Sequence, residues 1–463
     1  MITLVAVSGL GILCLILEII NLRKILVPVT LLGLVAILGA TATEFYLNEP
    51  FIEIDNYNMV ETSRFSQAFS ILFILLTALI IGMSSKFYED KMTKIADYVS
   101  LKIFMLAGAI AMVSFGNFAM FFIGIEVLSI CGYVLAASEP KNLKSNEAGM
   151  KYFIMGAFAS SFILFGLALL YGATGSFDVE TIKQILAVRG ESLPVWANLG
   201  FVMVLVGLLF KASVVPFHFW APDVYEGSPT LVTTIMSTLI KVAAISALFK
   251  FLTIMSVLVT PTVQLGLIVF SIITMLVANI TALRQSNLKR MMAYSGISHT
   301  GFMMMGLLSF NESANSTLYY AAAYSFAAIA GFAVIMAVCQ DKGNENISNI
   351  FGLARRHPAL AGIMACAMVS LGGIPVFAGF FAKMFVFSQM FEARQIILVM
   401  FGIVSSIIAI FYYFGTTNVM FTKENPEDIS FKASKRYTTV AFIAISLNIL
   451  IGVCPFIIMD LQL

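Results

Sequence analysis

Four ionisable residues stand where little but hydrocarbon surrounds them: Glu126, Lys211, Lys241 and Lys383. Lys211 lies about fifteen residues into one apolar run, Lys241 about twelve into the next, and Glu126 nine from one end of its own. At about 1.5 Å per helical residue, such positions fall near the middle of a bilayer. An isolated charge there costs at least about 2.5–3.5 kcal/mol. Side chains of this kind persist when they pair, meet water, or titrate as part of a mechanism. The competing reading is a structural ion pair with lysines that snorkel to the interface. Two of the runs also carry breakers at depth. Pro216 follows Lys211 in LLFKASVVPFHFW, and Gly372, Gly373 and Pro375 precede Lys383 in SLGGIPVFAGFFAKMFVF. Proline removes a helical hydrogen bond and clashes with the preceding turn. In lipid the freed carbonyls must find water or protein, so a broken span implies a polar interior.

The remaining candidates are weaker. His299, nine residues past Lys289 and Arg290, sits near midplane depth and reads either as a relay from Lys241 towards Lys383 or as a satisfied interior histidine. His218 follows Pro216 and reads as structural or as part of an inward-side uptake route. Lys151 opens its helix, where it snorkels or joins proton uptake together with Glu147. Lys102 and Lys250 lie near helix ends and read as snorkelling. His357 precedes Pro358 in a basic loop and reads as solvated. Asp223 and Glu226 read as caps for the helix that starts at Ser228-Pro229. The acidic segment with Glu44, Glu49, Glu53, Asp55 and Glu61 reads as a solvated face.

Elements long enough to position these residues are plentiful. A bilayer core needs about 20 apolar residues per helix. Fourteen such runs are found, at about 2–20, 25–43, 65–83, 98–114, 117–137, 150–171, 197–218, 229–254, 262–282, 291–308, 317–339, 359–388, 396–415 and 438–459. The fold class is therefore an all-α polytopic membrane protein. Only residues 51–55 (FIEID) alternate as a short strand would. The broken runs, seventh and twelfth, lie five spans apart. That spacing suggests two five-helix repeats, the second inverted relative to the first, an arrangement typical of transporters with sites near the midplane. The implied organisation is three N-terminal spans (1–97), a first repeat (98–254), a second repeat (262–415), and a loop with a last span (416–463).

Composition excludes most other classes. Of 463 residues, 60% are hydrophobic and 11% charged, less than half the roughly 25% usual in soluble domains. Nucleic-acid binders, disordered regulators and disulfide scaffolds are excluded on the same figures. The five cysteines lie far apart in apolar stretches, with no CxxC or Cys/His cluster, so no metal or iron–sulfur site is expected. No nucleotide-binding glycine motif is present. Charge placement gives an orientation. With both termini outside, seventeen basic residues fall in inside loops and four in outside loops, a strong positive-inside bias.

Longer strings add a resemblance. KASVVPFHFWAPDVYEGSPT (211–230), EAGMKYFIMGAFASSFILFGLALLYGATGS (147–176), NLKRMMAYSGISHTGFMMMGL (287–307) and GGIPVFAGFFAKMFVF (372–387) closely resemble the subunit N family of bacterial proton-pumping NADH–quinone oxidoreductase, respiratory complex I. The string PFHFWAPDVYEG separates that family from subunits L and M and from the Mrp antiporters. The resemblance implies that Glu126 pairs with Lys211, that Lys241 is a central lysine, and that Lys383 lies near the outward exit. Such a pair would hold a proton on Lys211, and opening it would push a proton towards Lys241 and Lys383. It further implies an inner-membrane location, with other membrane subunits of the complex on both sides. NAD, FMN, iron–sulfur clusters and quinone would belong to other subunits, and none to this chain. Its partners here would be lipid, protons and internal water. The alternatives are a multisubunit cation/proton antiporter of Mrp type and a structural anchor in which the buried charges are idle.

Overall fold

The computed structural model describes residues 2–47, 51, 55, 57–89, 94–310, 314–340, 342–423 and 433–463. Residues 52–54 of the expected strand, together with Glu49, Lys91 and Lys432, lie outside them. The described residues form helices and no strands, with three isolated bridges between loops.

The chain begins with α1 (Ile2–Ile19), α2 (Arg23–Leu47) and α3 (Arg64–Phe87). Next come α4 (Ile95–Ser114), α5 (Phe118–Ala136), α6 (Leu143–Thr174), the short α7 (Val179–Arg189) and α8 (Val195–Lys211). After a gap, α9 (Trp220–Gly227) leads into α10 (Thr230–Ile235), which continues through one π-helical turn, Met236–Ile240, into α11 (Lys241–Ile254). Then follow α12 (Pro261–Ala282), α13 (Leu288–Leu307), α14 (Asn315–Cys339), the single turn α15 (Leu353–Arg356) and α16 (Pro358–Gly372). The chain closes with α17 (Ala378–Glu392), α18 (Ile396–Thr422), α19 (Lys435–Val453) and the short α20 (Phe456–Met459). Helices occupy every one of the apolar runs, and 11 of those described are long and apolar enough to cross a membrane. The two broken runs and the more polar α13 fall short of that measure, for the reason that makes them informative.

Close helix contact depends on small residues. A Cβ on Gly166 of α6 would come within 2.7 Å of Gly200 O on α8, and a Cβ on Gly200 within 2.7 Å of Gly166 O. In lipid, where apolar surface is no driving force between helices, such backbone approach holds them together. Every residue of α14 is buried, as is every residue of the continuous helix Thr230–Ile254 except Thr253, whereas only about a third of the residues in the apolar windows of α1 and α2 are buried. One element was hidden from hydropathy. α7 lies outside the fourteen apolar runs, yet Asp178 caps it, and Val179, Ile182 and Leu186 line its buried face.

Several expectations fail here. Lys102 does not snorkel: it is fully buried, donating to Tyr88 Oη and Tyr98 O, both at 3.2 Å, with its ammonium over the Tyr88 ring. Lys250 is buried as well, paired with Glu61 at 2.8 Å. Glu44 is not on a solvated face but is the buried end of α2's Leu34–Ile37–Thr41 stripe. Proximity to a helix end permits snorkelling without requiring it, and neighbouring aromatic and carboxylate groups captured these side chains first.

Candidate proton-transfer site

The two helix breaks build the site. α8 ends at Lys211, and the helix resumes only at Trp220, leaving Pro216 in the middle of an irregular stretch in which Ser213 has φ +61. The freed backbone groups are satisfied from neighbouring helices. Thr300 Oγ1 donates to Ala212 O at 3.1 Å, Val215 N donates to Thr274 Oγ1 at 3.0 Å, and Trp220 Nε1 donates to Phe210 O at 3.2 Å. The second break spans Gly373–Phe377, with Gly373 at φ +83 and Val376 at φ +86. A β-branched residue in that region is strained, and strain of this kind clusters at functional sites. Lys383 folds back from α17, and its Nζ donates to Gly372 O at 3.0 Å, the carbonyl end of α16. Both lysines thus sit at the negative C-terminal end of a half-helix.

α13 connects them. Gly296, His299 and Phe302 recur every three residues and share one side of that helix. A Cβ on Gly296 would lie 3.1 Å from Lys241 Nζ, so glycine there makes room for the lysine. Lys383 Nζ stands 5.1 Å above the Phe302 ring. His299 lies between these two contacts. Its Nδ1 meets Tyr320 Oη at 2.8 Å and its Nε2 meets Tyr413 Oη at 3.2 Å, and Tyr413 Oη is 2.5 Å from Ser295 Oγ. A neutral imidazole has one donor and one acceptor nitrogen. Hydroxyls on both sides accommodate either tautomer, as a relay requires. A cavity of about 10 Å³ between His299, Tyr324, Ser370 and Gly379 is about the size of one water molecule.

The Glu126–Lys211 pair is not closed in this structure. Among the described residues Lys211 has no ion pair within 4.0 Å; its Nζ donates to Ser129 Oγ at 2.7 Å and Ser160 Oγ at 3.4 Å. Glu126 is partly buried, and its Oε1 has no hydrogen-bond partner. Lys241 Nζ is buried without one too. His218 joins none of these contacts; its ring packs on Phe219 and its Nδ1 is unpartnered.

A cavity of about 1300 Å³ opens on the face carrying Lys86, Lys94 and Lys144. Ser228, Thr230 and Lys289 belong to its lining, and Lys289 pairs with Glu345 at 3.0 Å and donates to Ser228 O at 2.9 Å. From Thr230, buried hydroxyls continue through Thr234, Ser237 and Thr238 towards Lys241, and Ser237 Oγ lies 2.8 Å from Tyr324 Oη. The intervening π turn is a rare feature that favours functional sites. Ser129, Ser160, Ser237, Ser295, Tyr320, Tyr324 and Tyr413 were missed in the sequence, although hydroxyls at i, i+4 on apolar helices were visible.

Asp223 and Glu226 do not cap α10. Asp223 instead pairs with Lys151 at 3.0 Å and Arg290 at 2.8 Å; Arg290 also reaches Glu226 at 3.1 Å, and Lys151 reaches Glu147 at 2.7 Å. The N-cap of α10 is Pro229, which offers no side-chain acceptor. Burial works against ionisation of Asp223, but the hydrogen bonds from Lys151 and Arg290 outweigh it and hold the carboxyl below its ordinary range. A carboxyl depressed in the folded state contributes stability above its unfolded pKa and loses it as pH falls through the folded value. Acidification through the range below about pH 4 is therefore expected to loosen α9 from α6 and α13 in the native chain. In Asp223→Asn this acid-dependent part of the thermal stability disappears, and melting curves of the two proteins across that range check it.

Comparison with known proteins identifies the fold and the family. The fold is shared with a chain of the Mrp complex from Dietzia sp. DQ12-45-1b (TM-score 0.86, 19% identity, 100% of this chain and 96% of that one). It is shared also with a chain of respiratory complex I from Thermus thermophilus (TM-score 0.84, 28% identity, 99% and 98%). Residues 116–409 match the family described as NADH:quinone oxidoreductase/Mrp antiporter, TM. Fold and site thus define an antiporter-like membrane protein. Among curated relatives, NADH-quinone oxidoreductase subunit N of Flavobacterium johnsoniae is 49% identical over 99% of both chains, and that of Cytophaga hutchinsonii 37% identical over 99% of this chain and 98% of its own. The chain belongs to the NADH-quinone oxidoreductase subunit N family.

Proposed function

We propose that this chain, as a membrane subunit of NADH–quinone oxidoreductase, moves protons through Glu126, Lys211, Lys241, His299 and Lys383, while electrons pass from NADH to quinone in other subunits. The observation that carries this reading is the α13 side on which Gly296 receives Lys241, His299 holds its two tyrosines, and Phe302 lies beneath Lys383. Protons are taken up from the large cavity past Lys289 and Glu345, along the hydroxyls of α10, to Lys241. Opening and closing of the Glu126–Lys211 pair biases the charge on Lys241, and Lys383 delivers to the opposite face. Coupling to the distant redox step is electrostatic or conformational, a free energy shared between sites.

Residues 98–254 and 262–415 act as two inverted repeats, each supplying one broken span. Both termini face the outer side of the bacterial inner membrane, the arrangement favoured by the basic loops. Other membrane subunits cover the chain's lateral apolar faces. His218 and Lys151 stand outside the path, the first as part of the break and the second as part of the Asp223 network.

The reading is tested in inside-out membrane vesicles energised with NADH. Lys383→Ala is expected to lower proton uptake per NADH several-fold, while NADH oxidation by a soluble artificial acceptor stays near normal. Unchanged uptake would sink the proposal. Recovery of the chain with antiporter subunits only, together with sodium counterflow in liposomes, would favour the Mrp-type alternative.

A further inference from the structure

The four-carbon stem of Lys211 brings two kinds of partner within reach, and one kind is engaged. Its ammonium donates to Ser129 Oγ at 2.7 Å and to Ser160 Oγ at 3.4 Å, and all three side chains are buried. Ser129 stands three residues beyond Glu126, hence on the neighbouring turn of the same side of α5. The Ser129 hydroxyl proton is committed to Ile125 O at 2.6 Å, which leaves its lone pairs to accept from Nζ. This serine is therefore an acceptor suited to an ammonium group. One turn away, the buried Glu126 Oε1 has no hydrogen-bond partner. A carboxylate oxygen left without a donor, beside an ammonium held by hydroxyls, describes one cation with two alternative berths.

We propose that Ser129 and Ser160 are positioning residues that compete with Glu126 for Lys211 and so set how often the Glu126–Lys211 pair is open. The inference rests on the proton-path reading above. In that path the open state frees the lysine to act on Lys241, and the closed state resets it. Without the serines the carboxylate is left as the strongest polar partner, and the closed state dominates. Hydrogen bonds from charged donors exceed neutral ones, though measured values inside membranes are modest. Loss of the shorter bond is expected to shift the balance about threefold to tenfold, and loss of the longer one less.

The test uses the whole complex in its membrane and reads protons taken up per NADH, with NADH oxidation by an artificial acceptor as the measure of assembly. Ser129→Ala is expected to lower the ratio about threefold or more. Ser160→Ala lowers it less, and Ser129→Thr, which keeps the hydroxyl, restores it. In a Glu126→Gln background, Ser129→Ala adds no further loss, because the charged competitor is gone. A normal ratio in Ser129→Ala overturns the inference, as does an equal loss in both backgrounds, which is what a packing defect would produce. Should Ser129→Ala fail to assemble, Ser160→Ala carries the same comparison between backgrounds. Normal pumping by Lys383→Ala would mark failure of the underlying path instead.

Discussion

Lys241→Ala is expected to suppress NADH-driven proton translocation in an assembled complex. Electron transfer from NADH to an artificial acceptor continues, and the loss of proton uptake exceeds about tenfold, equivalent to about 1.4 kcal/mol on the barrier. The reasons are positional. Lys241 opens α11 directly after the π turn, lies where the α10 hydroxyls end, and occupies the space left by Gly296 on the side of α13 that carries His299. Among the described residues its Nζ has no hydrogen-bond partner and no ion pair, so no carboxylate there is stranded by the substitution. What disappears, on the proposed path, is a group able to carry a proton between the α10 hydroxyls and His299. Proton uptake in vesicles, read beside acceptor activity, separates this outcome from a failure to assemble. Lys241→Ala vesicles that pump at the native ratio would remove Lys241 from the path.

Gly379→Ala has a large effect of another kind. A Cβ at this position overlaps the carbonyl of Ser370, across the break between α16 and α17. The obstacle is backbone, so no rotamer change relieves it. Overpacking typically costs about 1–3 kcal/mol and more where backbone must move. The movement would displace Ser370, whose hydroxyl donates to Asn448 Oδ1 at 2.8 Å, while Asn448 Nδ2 donates to Ala323 O at 2.8 Å. It would also shift Lys383 away from Gly372 O. Both the amount of assembled complex and its pumping are expected to fall. Quantification of the subunit in purified complex, beside acceptor activity, distinguishes this variant from Lys241→Ala, in which assembly is preserved. Normal yield and normal pumping would show that the two half-helices tolerate greater separation than the structure indicates.

Much of this was legible in the sequence. Depth along an apolar run located Lys211, Lys241 and Lys383, because a charge inside hydrocarbon is costly wherever the helix points. Pro216 and the Gly372–Gly373–Pro375 cluster located both breaks, because backbone chemistry is local. The partners of those residues were not legible. That Lys211 rests on Ser129 and Ser160 depends on how α5, α6 and α8 are rotated about their axes, and hydropathy is nearly blind to rotation. The tyrosines around His299 come from α14 and α18, far apart in sequence. Lys102 and Glu44 were misplaced because nearness to a run's end fixes reach and not environment. Asp223 and Glu226 carried a capping pattern, but Lys151 and Arg290 arrive from α6 and α13, which the local string could not announce.

The near-complete enclosure of Thr230–Ile254 and α14 has an electrical consequence. These two helices carry Lys241, the hydroxyls leading to it and two of the tyrosines nearest His299, and apart from Thr253 every residue of both is buried. The proposed proton path is thus sheathed in protein, with α1, α2 and the outer sides of α6 and α18 as the more exposed layer. A sheath of this kind lets the interior be polar while the exterior remains a good insulator. Short-circuiting would require a proton to cross that sheath, and the apolar thickness around the two enclosed helices is what opposes such a leak.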